Sequence, residues 1–414
     1  MNHRLLNFLS KSRFFYPNQY GFRKNSNTET AVLDIISDIQ IELDKNNICG
    51  IISLDLCKAF DTVNHRLLLN KMHDIGIRGN AYNWFKDYLT NRYQFVHTNN
   101  QQSSYKKNIC GVPQGSVLAP SLFLIYINSI CSLKLKGILR LFADDTTLFF
   151  YGKDPSEIRK NMLHDLKIIY DWLKFNKLSL NISKSSFMYI SKQTIKNKKD
   201  PIILDGKEIK YNNCIKFLGI HIDENLSWNL HITKIKEKII SYIGIISKLR
   251  HYLPLKYLKS IYFSFIYSHL QYLASVWATA CDSHLNQLKV LQNKAIKFMF
   301  KLPYLEPTIN LYTPRNLLDI ANLYKYKICC YIFCVIHKTR HSNIKFINNN
   351  SIHYHNTRQI NNLYLINVKS NYGKKSVYFK GIQTYNSLPE ELKSTTNINK
   401  FKIKLKQFLL NNHP

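Results

Sequence analysis

The sequence predicts an α/β or α+β domain through about residue 228, then a mainly helical stretch to residue 300 and a basic segment from 301 to 414. Three observations carry that prediction. Over the first 228 residues, short apolar and β-branched runs alternate with amphipathic stretches, the pattern of strands interleaved with helices. Asp205-Gly206 sits between two strand-like runs, a hairpin signal. Beyond Trp228 the strand-like runs stop and helical spacing takes over.

Each element follows in order. Residues 27–45, NTETAVLDIISDIQIELDK, carry apolar side chains at helical spacing, with Asn27 or Thr28 as the cap. ICGIISLDL is a short apolar, β-rich run and reads as a buried strand. Residues 64–90 read as one or two helices, with Gly76 and Gly79 as the break. GVPQGSVLAPSLFLIYINSI is a Gly/Pro turn leading into a buried helix from about Ser116. ILRLFADDTTLFFYG gives strand, tight turn, strand. DPSEIRKNMLHDLKIIYDWLKFN is an amphipathic helix with proline near its start. LSLNISKSSFMYIS follows as a strand with a polar break, and KQTIKNKKD (192–200) as a solvated loop.

With 414 residues, 45% of them hydrophobic, the chain can bury a substantial core and form more than one domain. That composition excludes a disordered chain. Lysine and arginine number 58 against 26 acids, a formal charge of +32. A folded protein this basic is expected to meet a polyanion, nucleic acid before an anionic membrane. A plainer source of the charge is an AT-rich coding sequence, which favours Lys, Asn, Ile and Tyr. The start, MNHRLLNFLSKSRFF, lacks the pattern of a signal peptide. No apolar run reaches the length of a membrane span. An intracellular, non-secreted protein without a membrane partner is the expectation. Scattered Lys and Arg do not choose between nucleus and cytoplasm. The nine cysteines are scattered, as suits a reducing compartment. Cys329, Cys330 and Cys334, with His337 and His341 nearby, match no common zinc spacing. KYKICCYIFCVIHK reads as a buried helix face.

LFADDTTLFF (141–150) sets two adjacent aspartates inside an apolar run. Carboxylates are rarely buried unless paired or bound to metal, and neighbouring like charges repel. A strand on each side places Asp144 and Asp145 at a hairpin tip, where aspartate is also an ordinary turn residue. In GIISLDLCKAFDTVNH, Asp55 ends an apolar strand. If the two strands are neighbours, three carboxylates converge. Mg²⁺ takes one or two carboxylates plus substrate phosphates and would relieve the repulsion. Two such ions, roughly 3.5–4 Å apart, stabilise the attacking and leaving oxygens in phosphoryl or nucleotidyl transfer.

SLDLCKAFD, GVPQGSVLAP, LFADD, LSLNISKS and IKFLGIHID occur in that order. Together they resemble the palm motifs of reverse transcriptases, of the jockey-like non-LTR retrotransposon type. QYGFRKNSNTETA (19–31) resembles the family's fingers-to-palm segment. HLQYLASVW (269–277) and LQNKAIKFM (291–299) resemble its thumb and following region, and YHNTR (354–358) and YNSLPEELK (385–393) its C-terminal tail. The resemblance therefore covers nearly the whole chain. It implies an α+β right-hand polymerase: partial fingers and a palm with an antiparallel sheet (1–228), a helical thumb-like region (229–300) and a basic C-terminal extension (301–414). That extension holds 17 Lys and Arg against four acids.

The resemblance also implies an activity and its residues. The enzyme would add deoxynucleoside triphosphates to the 3′-hydroxyl of a DNA primer on an RNA template. It would use two Mg²⁺ ions, with Mn²⁺ as a substitute. Asp55 and Asp144 would bind the metals, supported by Asp145. Phe60 would lie under the incoming sugar, where its ring clashes with a 2′-hydroxyl. Gln114, in the turn of Gly111, Pro113 and Gly115, would touch nucleotide or template; its glycines allow close backbone approach. Lys184 would stand near the triphosphate as a general acid for pyrophosphate. Phe217, Leu218 and Gly219, within residues 216–222, would grip the primer end. Arg23 is the candidate for clamping the triphosphate. Trp228 is expected in the core. The thumb helices and basic tail would hold the template–primer through phosphates, which position without specifying sequence.

Only 18 residues precede Gln19, and no endonuclease or zinc-knuckle pattern stands before it. The chain is therefore expected to be an N-terminally truncated element copy or the product of a partial gene model. The rival expectation is a non-catalytic nucleic-acid-binding remnant. A polymerase-like structural protein without a nucleic-acid role comes third.

Overall fold

The computed structural model describes residues 1–307, 309–352 and 362–412; YHNTR lies outside them. The chain forms two compact units. The first comprises Met1–Asn27, Cys49–Tyr189 and Ile195–Asn212. Its centre is a sheet of six strands: β1 (Ile48–Leu54), β2 (Ile138–Phe142), β3 (Asp145–Gly152), β4 (Ser186–Ile190), β5 (Ile202–Leu204) and β6 (Lys207–Tyr211). Their spatial order is β2-β3-β1-β4-β6-β5. β1 is central and almost wholly buried, which is why it reads as a continuous apolar run rather than an alternating one.

β2 and β3 pair antiparallel from Ile138↔Phe149 to Phe142↔Asp145. Only Ala143 and Asp144 are left to turn the chain. β5 and β6 form the Asp-Gly hairpin, with Asp205 at φ 51° and Gly206 at φ 73°. Two successive left-handed residues make the turn that matches strand twist. The sheet is mixed rather than antiparallel throughout, because β6 lies parallel to β4. A parallel partner requires a crossover, and residues 191–206, β5 included, supply it.

The helix Pro155–Phe175 packs on β3 and β5. Asp154 accepts the Ser156 N–H at its start. It lies so close to β1 that a Cβ at Gly50 would fall 2.2 Å from the Met162 methyl. The helices His65–Asp74 and Gly79–Leu89 are separated by left-handed Gly76, as expected. The buried helix after the Gly/Pro turn spans Ala119–Ile127, three residues later than expected. The Ser116 hydroxyl accepts the Ala119 N–H at 3.1 Å, so residues 116–118 are still turning. The strand expected over LSLNISKSSFMYIS is confined to β4. Its first half is a turn stapled to another segment, described below. Two small exposed pairs, Tyr93–Gln94 with Lys106–Lys107 and His97–Thr98 with Gln101–Gln102, carry no sequence signal.

The second unit comprises Thr28–Ile48, Ile190–Thr194 and Asn213–Pro414. The helix Thr28–Asp44 belongs here, although its neighbours in sequence belong to the first unit. Three of its acids explain why. Glu29 pairs with Arg340 at 2.6 Å. Asp34 accepts the Ser342 hydroxyl at 2.7 Å and the Asn343 N–H at 2.9 Å. Asp44 accepts the Ser370 N–H and hydroxyl, both at 2.6 Å. Helices Asn229–Leu249, Asp282–Met299, Ile320–Ile336 and Ile398–Asn411 build most of the remainder. Cys329 and Cys330 are buried in Ile320–Ile336, and burial pushes both thiols up, Cys330 to about 12. Both side chains belong to the buried face of that helix, as the sequence pattern predicts. Among the described residues no helix is long and apolar enough to cross a membrane.

A hairpin of β7 (Cys214–Phe217) and β8 (Ile220–Asp223) opens this part of the unit. Asp223 accepts the N–H groups of Asn225, Ser227 and Trp228. Trp228 is buried, as expected. His231 is buried against Trp277, with ring centres 5.7 Å apart, and its Nε2 is unpartnered. Burial, reinforced by His221 and two lysines, lowers its pKa to about 4. The folded state thus holds His231 neutral where the unfolded chain would protonate it. The associated stability is present above pH 6.5 and is lost as pH falls from 6.5 to about 4, up to about 3 kcal/mol. Urea midpoints at pH 7.5 and 4.5 should differ less for His231→Leu than for the natural chain. An unchanged difference would remove His231 from the acid response.

Candidate active site

Asp55 follows the last residue of β1. Its N–H donates to the Ser185 hydroxyl at 3.1 Å, and its carbonyl accepts the Asn181 N–H at 2.8 Å. The Ser185 hydroxyl donates to the Asn181 carbonyl at 2.8 Å. Cys57 N–H donates to the Ser179 carbonyl, and Leu56 bridges Leu180 antiparallel. The polar break in LSLNISKS is therefore a turn that clamps the backbone of Asp55. It carries Lys184, which is exposed.

Asp144 is the second residue of the two-residue turn between β2 and β3. Ala143 before it is left-handed, at φ 56°. β3 lies beside β1. Burial and then the charge of Asp55 raise the Asp144 carboxyl above its ordinary 3.8, while a backbone hydrogen bond opposes them. The two carboxylates expected to act together are thus within electrostatic reach. Asp145 heads β3 opposite Phe142 and is exposed, whereas Asp144 is half-buried. Among the described residues no three His, Cys, Asp or Glu side chains are grouped to hold a metal. The three-way convergence expected from the sequence is not seen. Asp144 belongs to the turn and Asp145 to the strand that follows it.

Phe60 and Gln114 come together by strand-like backbone contact. Val112 N–H donates to the Phe60 carbonyl at 2.9 Å, and Gly111 N–H to the Val63 carbonyl at 2.8 Å. Gly111 has φ +86°, and a Cβ there would sit 2.8 Å from the Asp61 carbonyl oxygen; only glycine fits. The Phe60 ring stacks on Phe123, with centroids 4.3 Å apart and planes 24° apart, and meets Phe22 edge-on at 6.4 Å. Gln114 donates from Nε2 to Asp61 Oδ1 at 2.7 Å. A cavity of about 460 Å³ opens beside it, lined in part by Asp61, Arg92, Lys107 and Gln114. Gly115, next in the chain, is left-handed and exposed.

Arg23 is placed differently. Its guanidinium donates to the carbonyls of Tyr16 at 2.6 Å and Gln19 at 3.0 Å, and lies over the Phe15 ring. The side chain closes its own loop, and the triphosphate role expected of it finds no support in this geometry. Phe217, Leu218 and Gly219 belong to the second unit, at the β7–β8 turn. Leu218 and Gly219 are both left-handed, at φ 46° and 87°. The Tyr272 hydroxyl donates to the Leu218 carbonyl at 2.7 Å, and Trp277 Nε1 donates to the Tyr272 carbonyl at 2.8 Å.

Sequence reasoning missed three supports: Asp61 for Gln114, Ser185 for Asp55, and Tyr272 for the β7–β8 turn. Each lies inside a quoted motif, so position in the motif was the available signal. What each one touches depends on segments far away in the chain.

A sequence model described as reverse transcriptase (RNA-dependent DNA polymerase) matches residues 1–222. The probable RNA-directed DNA polymerase from transposon BS of Drosophila melanogaster is 25% identical over 324 residues, covering 76% of this chain and 36% of the relative. The RNA-directed DNA polymerase from mobile element jockey, of the same fly, is 26% identical over 296 residues, covering 69% and 32%. The chain spans about a third of the length of these curated relatives. Among solved structures, telomerase from Candida albicans with a fragment of telomeric RNA has a TM-score of 0.43 at 15% identity, covering 72% of this chain and 56% of that one. A family match over more than half the chain, with Asp55, the Gly111–Gly115 turn and the Ala143–Asp144 turn all inside it, places the protein: it belongs to the reverse transcriptase (RNA-dependent DNA polymerase) family.

Proposed function

We propose that this chain carries the RNA-directed DNA polymerase activity of a non-LTR retrotransposon, adding deoxynucleotides to a primer 3′-hydroxyl on an RNA template. One observation carries the reading: Asp144, half-buried at a hairpin tip, feels the charge of Asp55 at the end of the neighbouring strand. Two carboxylates within electrostatic reach, the Asp144 carboxyl with its proton affinity raised, are an incomplete charge arrangement that a cation would complete. Their oxygens suit a hard cation. Asp55 and Asp144 would hold Mg²⁺, or Mn²⁺ in its place, with Asp145 alongside. When bound, such ions stabilise charge on the attacking and leaving oxygens.

The chain's own residues do the rest. Phe60, fixed by its stack on Phe123, offers a rigid ring under the sugar. Gln114, held by Asp61, faces nucleotide or template. Lys184 stands on the turn clamped to Asp55, positioned to give a proton to departing pyrophosphate. The β7–β8 turn is the primer grip. Residues 229–300 serve as thumb, and the basic segment 301–414 meets phosphates.

Primer extension on an annealed RNA template with dNTPs and Mg²⁺ tests the reading. Extension that is lost in Asp144→Asn supports it; extension retained in full by that variant defeats the site assignment. Truncating the ring in Phe60→Ala should raise use of ribonucleotides relative to deoxynucleotides by about 10- to 100-fold, measured by single-nucleotide incorporation. Unchanged selectivity would return Phe60 to the core.

The geometry of Arg23 favours a second reading, a nucleic-acid-binding remnant without a triphosphate clamp. Under it the chain binds template–primer with a steep loss of affinity as salt rises but does not extend it.

A further inference from the structure

The geometry points to Gln19 as the positioning residue of the turn that carries Asp144, a role for QYGFR distinct from nucleotide contact. Residues 18–21 lie along β2, the outermost strand of the sheet. Leu141 N–H donates to the Asn18 carbonyl at 2.9 Å, and Tyr20 N–H donates to the Leu141 carbonyl at 2.8 Å. Gln19 bridges Leu141 in parallel register. This brings the Gln19 side chain, 1% exposed, to the end of β2. There Oε1 accepts two N–H groups, from Ala143 at 3.0 Å and from Gly21 at 2.9 Å.

The amide orientation follows from the donors. A flipped amide would set its NH₂ against both N–H groups. Nε2 is buried and has no partner, so nothing else in the site holds the side chain in place of those two bonds.

Gly21 serves the same turn. A Cβ there would lie 2.4 Å from the Ala143 nitrogen and 2.9 Å from the Phe142 carbonyl carbon. The loop backbone thus lies directly on the turn backbone. Ala143 is held left-handed, at φ 56°, a conformation an alanine adopts only when its surroundings impose it. The buried Ala143 N–H requires an acceptor, and Gln19 is the one it has. Without it the turn relaxes, and the carboxylate one residue on moves with it. A displacement near 1 Å of a reacting group lowers rate by about 10²-fold.

The kinetic part of this inference rests on the polymerase reading; the structural part does not. Hydrogen–deuterium exchange of the full chain tests the second directly. In Gln19→Met, of similar length and without an acceptor, the peptide covering Ala143 and Asp144 should exchange at least about tenfold faster, while β4 is unchanged. In Gln19→Glu, which keeps an acceptor oxygen, protection should be retained. Steady-state extension should then give a kcat about 10²-fold lower for Gln19→Met, with the KM for dNTP and the Kd for template–primer within about twofold. Equal exchange in the natural chain and Gln19→Met would overturn the proposal. So would equally fast exchange in Gln19→Glu and Gln19→Met, or a kcat left intact. If the natural chain does not extend a primer, the polymerase reading fails and exchange alone still decides the role of Gln19. If Gln19→Met does not fold, Gln19→Glu decides it: a protected turn supports the role and an exposed turn ends it.

Discussion

Replacing Asp144 by asparagine is expected to lower primer extension by at least about 10³-fold without lowering the melting temperature. The two halves of that expectation have one cause. Asp144 is half-buried and its carboxyl is raised by burial and by Asp55, so its ionised form is unfavourable in the fold. Asparagine keeps the shape and removes the charge. It also removes one of the two carboxylates that would hold a cation. The sign with pH follows. A carboxyl whose folded pKa lies above 3.8 contributes stability below 3.8 and loses it as pH rises through its folded value. The variant's melting temperature should therefore gain on that of the natural chain from pH 3 to pH 7. A variant that unfolds earlier at pH 7 would show that the carboxylate is structural rather than poised for a cation.

The second large effect is on stability. Asp165, in the middle of the helix Pro155–Phe175, is fully buried. Its oxygens accept the Lys136 N–H at 2.9 and 3.0 Å and the Gly137 N–H at 2.7 Å. His164 lies 2.9 Å from Oδ1. This carboxylate fastens the helix to the residues that lead into β2, the strand that ends at the Ala143–Asp144 turn. Gly137 is equally constrained, since a Cβ there would lie 2.5 Å from the Phe150 ring. Asp165→Ala leaves two backbone N–H groups facing a cavity without an acceptor and should cost about 3 kcal/mol or more. Asp165→Asn, with one oxygen remaining, should fall between. Denaturant midpoints of the three chains measure this, and an alanine variant as stable as the natural chain would mean that water takes the place of the carboxylate.

Much of the site was legible because its signals are local. The acidic pair between apolar runs predicts a hairpin tip at Asp144 and Asp145, and the tip forms one residue earlier, at Ala143 and Asp144, with Asp145 already in β3. Asp205-Gly206 predicts a left-handed turn, and both residues are left-handed. Gly111 reads as a close backbone approach to nucleotide or template, and what the structure shows it approaching is the Asp61 backbone of its own chain. The start of the helix after the Gly/Pro turn was misread by three residues because the Ser116 hydroxyl competes for the Ala119 N–H, a choice that propensity does not reveal. That Arg23 turns back onto the carbonyls of Tyr16 and Gln19 is not legible in the motif, because a cation in a motif says nothing about which carbonyls fold back onto it.

The sequence by itself determined most strands of the central sheet, most of the helices and the positions of the two hairpin turns to within a residue. Those depend on side chains a few positions apart, where periodicity and backbone preference decide. Only the tertiary structure decided that Asp144 comes within electrostatic reach of Asp55, while among the described residues no three-carboxylate group forms. It alone assigned the helix Thr28–Asp44 to the second unit through Glu29, Asp34 and Asp44. It alone set Gln19 behind the Asp144 turn. The contacts of Glu29, Asp34, Asp44 and Gln19 rest on polar groups finding partners more than a hundred residues away in the chain. Such pairings follow from which strands become neighbours, which no local pattern encodes.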